Sequence, residues 1–218
     1  MKFPNESRSY RIARNKLLAA EIALRRKVEA VAALRRKLPQ GGRVPEDYVF
    51  DSAEGAVRLS QLFGEHDALI AYSFMYGPKM AKACPMCSSM LDALNGNARH
   101  IAERAGLAVV AKSPIGRILE FAQARGWSNL RLLSSGGNSY HRDYFGENAE
   151  GGQLPMLNVF RRRGGEIRHF WGTELLFAKA DPGQNGRHVD MLWPLWNALD
   201  LTPGGRGKDW YPKLDAGG

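Results

Sequence analysis

Apolar positions along the chain fall into two different periods. Tyr10, Ala13, Leu17, Leu24, Val28, Val31 and Leu38 lie three, four or seven apart, which puts them on one face of a long amphipathic helix. Ser9 is placed to cap its start, and Pro39-Gln40-Gly41-Gly42 ends it. At ~1.5 Å per residue such a helix runs about 45 Å. Beyond the glycines the pattern shifts to short strands. Tyr48-Val49-Phe50 and Val57-Arg58-Leu59 flank Asp51 to Gly55 and predict a hairpin. Ala68 to Met75 is a continuous buried-strand pattern that runs into Gly77-Pro78. A helix from Pro85 to Ala105 follows, with a kink expected at Asn95-Gly96-Asn97, then an apolar strand from Leu107 to Ala111. Ser113-Pro114 predicts an N-cap and first turn for a helix that Gly126 ends. Leu130 to Leu133 is a third strand, and Ser134 to Gly152 reads as a polar, Gly-rich loop whose only apolar knot is Tyr144-Phe145-Gly146. Met156 to Arg161 and Glu166 to Trp171, joined at Arg163-Gly164-Gly165, predict a second hairpin. Val189 to Leu199 predicts a last helix.

The order is β-α-β, then α-β, then a β-hairpin and a helix, which is α/β. A parallel βαβ unit followed by an antiparallel hairpin is the plan of the thioredoxin fold. The opening hairpin and the added α-β match its peroxiredoxin and thiol-reductase-like elaborations. The expected organisation is a basic helical arm and linker over 1–42, a thioredoxin-like domain over 43–205 and a tail over 206–218.

Composition narrows the class. At 218 residues the chain can bury a core without metals or several disulfides, and 44% hydrophobic with 24% charged residues excludes disordered and fibrous readings. The net charge of +9 is localised: residues 1–39 hold eleven Lys/Arg against three Asp/Glu, and the rest is nearly balanced. The arm is expected to pack on the body or to pair with its copy in a homodimer through residues 8–38. A nucleic-acid contact through Arg25-Arg26-Lys27 and Arg35-Arg36-Lys37 ranks below that, because basic density alone supplies only nonspecific phosphate attraction. Adsorption to an anionic membrane is weakened by the lack of a large aromatic on the apolar face beyond Tyr10. The longest apolar run, Ala68 to Met75, is far short of a membrane span, and the N-terminus carries no apolar leader pattern. A cytoplasmic protein is expected.

The chain has two cysteines, in Cys84-Pro85-Met86-Cys87, after a predicted strand and opening a predicted helix. A thiol there meets unpaired N–H groups and the positive end of the helix dipole, which favour thiolate. Lys79 and Lys82 are candidates to add to that stabilisation. Pro85 suits the first turn, where its missing N–H costs nothing. The spacing lets Cys87 reach the sulfur of Cys84 and resolve a mixed disulfide formed on it. A zinc half-site is an alternative, but it needs two more ligands, and His66, His100, His141, His169 and His188 show no pair at the usual spacing. Two inert buried cysteines are another. The exchange chemistry itself needs no cofactor.

Leu154-Pro155-Met156 precedes the second hairpin, where thioredoxin-fold proteins place a cis-proline facing the cysteines, and a cis Pro155 is expected to shape a substrate groove with Pro85 and Tyr76. Tyr140, His141 and Arg142 are further candidates to line it. The five tryptophans, Trp127, Trp171, Trp193, Trp196 and Trp210, read as packing residues.

With Phe74-Met75-Tyr76-Gly77, Cys84-Pro85-Met86-Cys87, Lys112-Ser113-Pro114, Gly126-Trp127, Ser134-Ser135 and Asp200-Leu201-Thr202-Pro203-Gly204, nearly the whole chain resembles the bacterial family catalogued as domain of unknown function 899. The resemblance implies a thioredoxin-like fold and dithiol–disulfide exchange with a disulfide- or dithiol-containing protein or small thiol. A thiol peroxidase is the rival on this fold, but the peroxiredoxin loop Pro-x-x-x-Thr/Ser-x-x-Cys is unmatched. Ala81 stands three before Cys84, and Pro78 lies six before it. A thioredoxin-like binding or assembly module is the alternative from another class. The position nine before Cys84, a buried acid in thioredoxin, is Met75, so the proton partner of Cys87 is not identified by sequence.

Overall fold

The computed structural model describes residues 2–184, 193–207 and 210–214. The chain forms two compact units, Met1–Gln40 and Gly41–Gly218.

The first unit is one helix, α1 (Arg8–Arg36). Its cap is Ser7 and not Ser9: Ser7 has extended backbone, and its Oγ accepts the Tyr10 N–H at 3.1 Å, whereas Ser9 already lies in the first turn. The Lys37 N–H closes the other end on the carbonyls of Leu34 and Arg35. A single helix cannot bury its own apolar stripe, so Tyr10, Leu17, Leu24 and Leu34 are exposed.

The second unit is built on a seven-stranded sheet. In chain order it contains β1 (Val49–Ser52), β2 (Gly55–Arg58), β3 (Ala68–Ser73), α2 (Pro85–Ala102), β4 (Gly106–Ala111), α3 (Ile115–Ala124), β5 (Leu132–Ser134), α4 (Tyr140–Asp143), β6 (Met156–Arg163), β7 (Glu166–Gly172) and α5 (Pro194–Asp200). The strand order is β2-β1-β5-β4-β3-β6-β7. β3, β4 and β5 run parallel, while β6 lies antiparallel to β3, and β7 antiparallel to β6. A parallel β3-α2-β4 unit whose first strand carries an antiparallel hairpin on its other side is the thioredoxin-like arrangement. The fold is therefore α/β and thioredoxin-like, with the β1–β2 hairpin and the α3-β5 unit added.

Alternation along the strands divides the core in two. Tyr72, Val109, Ala111 and Leu157 face one layer, packed with Met90 and Leu91 of α2, Ile118 and Ala122 of α3, and Trp127 and Trp196. Leu69, Ala71, Val110 and Phe160 face the other, with Tyr48, Phe50, Tyr140 and Tyr144. The linker after Gly41 pairs with the outer edge of β7: the Val44 N–H donates to Ile167 O, and the His169 N–H to Gly42 O. Gly41 is required there, because a Cβ would stand 2.0 Å from the His169 carbonyl oxygen.

Several expectations are corrected. The helix predicted to run to Ala105 ends at Ala102; it runs unbroken through Asn95-Gly96-Asn97, where Asn95 Oδ1 and its carbonyl hold Asn129. Ser113 does not cap α3. Pro114 takes the cap position, while Ser113 is buried, its N–H bonded to Tyr76 O and its carbonyl to Ser134 Oγ. The loop predicted over 134–152 contains α4, because Tyr140 and Tyr144, four apart, dock on Tyr48, Phe50 and Phe160. Tyr140 and His141 are buried, so neither lines a groove open to solvent. Of the predicted last helix, residues 189–192 lie outside the described residues. The C-terminal segment packs back on the unit: Trp210 and Tyr211 meet Trp196, and Arg125 donates to Leu214 O.

Candidate functional site

β3 delivers the chain to the site. After Ser73 the Phe74 N–H still bonds to Val110 O, and the chain then leaves the sheet as the loop 75–83. The Cys84 N–H returns to Met75 O at 3.1 Å, which fixes the start of α2 beside the strand it came from. Cys84 is the N-cap residue, with extended backbone, and Pro85 occupies the first turn. The Cys84 carbonyl accepts the Ser88 N–H at 3.0 Å and Ser88 Oγ at 2.9 Å.

Arg117 of α3 holds the loop from the side. Its guanidinium donates to the carbonyls of Gly77, Met80 and Ala81 and lies 4.4 Å over the Tyr76 ring. Three carbonyl oxygens on one planar cation is a use suited to arginine and not to lysine. Gly77 permits the close approach of Gln153, whose Cγ would be 2.8 Å from an added Cβ.

The two sulfurs occupy unlike environments. Neither is in a disulfide; Cys84 is partly exposed, and Cys87 is 1% exposed. Burial pushes the Cys87 thiol well above its ordinary pKa, and its hydrogen bond to Cys84 adds to the rise. A hydrogen bond from the Tyr72 hydroxyl and one from the Met75 backbone act in the opposite sense. Tyr72 is itself buried, which raises its phenol far above its ordinary value, so it remains a donor. Tyr72 and Cys84 thus act on Cys87 in opposite senses, the phenol lowering its pKa and the neighbouring sulfur raising it.

The candidate groove residues are distributed unevenly. Pro155 shares a small cavity of about 10 Å³ with Tyr72, Met90, Leu157 and Thr173, on the sheet face that carries the cysteines. Its peptide bond is trans, correcting the cis expectation. β6 begins one residue later, with Met156 paired to Ser73, so the missing N–H of a trans proline falls just outside the ladder. Pro85 is exposed at the head of α2, and Lys79 and Lys82 are exposed on the loop that leads to Cys84. Tyr76 is buried under Arg117 and against Phe121, and so supports the loop from inside. Tyr72 and Arg117 escaped sequence reasoning. Among the described residues no group of three or more His, Cys, Asp or Glu side chains could hold a metal ion. No described helix is long and apolar enough to cross a membrane.

The chain belongs to the family described as "Bacterial protein of unknown function (DUF899)", whose model matches residues 1–216. No curated protein matches the chain. Among solved structures it is similar to a peroxiredoxin-like protein from Aquifex aeolicus, at 17% identity over 62% of this chain and 75% of that one, with a TM-score of 0.43. It is also similar to the reduced 2-Cys peroxiredoxin of Plasmodium vivax, at 18% identity over 74% and 96%, TM-score 0.46. A third is the exposed lipoprotein thioredoxin Etrx1 of Streptococcus pneumoniae, at 13% identity over 57% and 87%, TM-score 0.42. The fold assignment itself rests on strand order and direction.

Proposed function

We propose that the protein is a dithiol–disulfide oxidoreductase in which Cys84 is the nucleophile and Cys87 the resolving thiol. The observation that carries this reading is the asymmetry of the pair: one sulfur partly open at a helix start, the other buried in the first turn of the same helix. The Cys84 thiolate attacks a substrate disulfide, forming a mixed disulfide and releasing one substrate thiolate. Cys87 then loses its proton and attacks the Cys84 sulfur, which expels the second substrate thiolate. Two electrons pass to the substrate, and a Cys84–Cys87 disulfide remains. The departing substrate thiolate takes up the Cys87 proton.

Pro155 and Pro85 shape the approach to Cys84, and Lys79 and Lys82 supply positive charge on the same loop. The substrate class is a protein disulfide or a small disulfide such as oxidised glutathione. A peroxidase reading finds no support at position 81, where the loop presents an alanine whose carbonyl is held by Arg117. Removing the resolving thiol tests the reading. Cys87→Ser should accumulate partners linked through Cys84 that reductant releases, and Cys84→Ser should accumulate none. Equal labelling of both variants would contradict the division of roles between the two thiols, and no labelling in either would leave a scaffold with an inert pair.

A further inference from the structure

Across the sheet from the cysteines lies an open groove of about 1220 Å³, larger than the ~300–1,000 Å³ typical of small-molecule sites. Its walls come from the linker at 42–45, the turn at 143–145, the face of β6 bearing Met156 and Asn158, His169 of β7, and the segment 174–178. Three large apolar side chains stand open around it: Phe145 at 65% exposure, Leu175 at 63% and Phe177 at 52%. Isolated exposed apolar residues are ordinary, but three around one cavity are a binding signature. Phe145 also has φ +55°, a left-handed conformation that is strained for a non-glycine residue. Two hydrogen bonds of Gly146, from its N–H to His141 O and to its carbonyl from the Leu154 N–H, anchor the turn beside it.

One polar group in this apolar setting has a defined hydrogen-bonding sense. Asn158 is buried, and its Nδ2 donates to Tyr144 O, so its Oδ1 is left to accept. His169 Nε2 lies 2.9 Å from that oxygen and must carry the proton. Nδ1 is therefore an unprotonated acceptor, with no partner among the described residues. The imidazole is locked in place, stacked on Tyr144 at 5.7 Å and edge-on to Phe160 at 5.6 Å. Gly172 makes room for the pair, since a Cβ there would stand 3.2 Å from Asn158 Oδ1. Burial lowers the His169 pKa, with Glu174 opposing, which keeps the ring neutral near pH 7. Asp143 and Glu174 outnumber Arg43 on the rim, which disfavours an anion.

We propose that this groove binds an uncharged aromatic molecule whose ring lies among Phe145, Leu175 and Phe177 and whose hydroxyl donates to His169 Nδ1. The ligand class is a hydroxylated aromatic, of phenol or quinol type, and the site is separate from the cysteines.

The test uses the full-length protein and two probes that differ only at the hydroxyl, 2-naphthol and 2-methoxynaphthalene, titrated by fluorescence at pH 7.5. Saturable binding of naphthol is expected, with the methoxy probe about tenfold weaker, one hydrogen bond or ~1.4 kcal/mol. His169→Phe should bind both probes alike, and Leu175→Glu, a change at an exposed position, should weaken both. Cys84→Ser should leave both affinities unchanged. Equal affinity of the two probes for the unaltered protein, or no saturable binding of either, would overturn the proposal without a variant being needed.

Discussion

The hydroxyl of Tyr72 lowers the pKa of the buried Cys87 thiol, against the rise that burial and the neighbouring Cys84 sulfur impose. Tyr72 is the last but one residue of β3, and its ring is buried between α2 and β6. In the proposed exchange Cys87 must ionise to act, in a place where burial opposes ionisation. A buried phenol that stays protonated eases that step without competing for the proton.

Tyr72→Phe keeps the ring and removes the donor. A hydrogen bond to a charged group contributes about 1.5–3 kcal/mol, so loss of this one should slow release of the mixed disulfide about tenfold or more. The pH profile of that release should move to higher pH, while the first attack by Cys84 changes little. Stopped-flow measurement of the two phases across pH separates these effects. A uniform slowing of both phases would mean that Tyr72 acts only in packing.

The unequal exposure of the two sulfurs predicts an order of reaction. Under limiting iodoacetamide at pH 7.5, Cys84 should be modified first and Cys87 only after unfolding, as peptide mass spectrometry would show. Modification of both at similar rates would contradict the buried position of Cys87.

Arg117→Ala removes donors to three loop carbonyls and the cation over Tyr76. The expected cost is about 2–3 kcal/mol in urea unfolding. The loop should also loosen enough to erase the reactivity difference between the cysteines. Arg117→Lys should recover only part of it, because a point charge cannot serve three oxygens in a plane.

His141 is buried, with Ser135 Oγ 2.5 Å from its Nδ1, and burial lowers its pKa to about 4. The unfolded chain takes up a proton near pH 6.5 that the folded chain refuses until about pH 4. Stability is therefore full above pH 6.5 and falls as pH drops between those values, by about 3 kcal/mol. The lowered pKa of His169 acts with the same sign. Urea unfolding at pH 7.5 and pH 4.5 measures the loss, and His141→Gln should remove most of it. An unchanged pH dependence in that variant would assign the effect elsewhere.

The apolar stripe of α1 predicts pairing with a second copy. Deleting residues 1–40 should convert a dimer to a monomer in sedimentation, leaving the thiol reactivity order intact. A chain that sediments as a monomer with or without the arm would refute this.

The fold was legible in the sequence where its signals are local. Strand periods, the glycine stops and the Cys84-Pro85-Met86-Cys87 motif each lie within a few residues, and they place β3, α2, β4 and the final hairpin. The cysteines' surroundings were not legible, because they are assembled at long range. Tyr72 lies twelve residues before Cys84 and reads as one more strand aromatic. Arg117 lies 33 residues after it and reads as a surface charge until α3 is folded against the loop. Pro155 could be placed opposite the cysteines from element order, but its isomer depends on how β6 joins β3. The spacing of Tyr140 and Tyr144 was the missed signal for α4, outweighed by the glycines and polar residues around it. His169 and Asn158 meet only across the β6–β7 pairing, where a register irregularity between Val159 and Phe160 shifts the partners.

Exchange at Cys84 and Cys87 is tested most directly by the mass of the intact protein after equilibration with oxidised glutathione. Closure of the internal disulfide predicts a loss of two hydrogen masses, a peptide joining Cys84 to Cys87, and full return to the dithiol on adding dithiothreitol. A protein that stays fully reduced, or that holds glutathione on Cys84 without closing the internal disulfide, would contradict it.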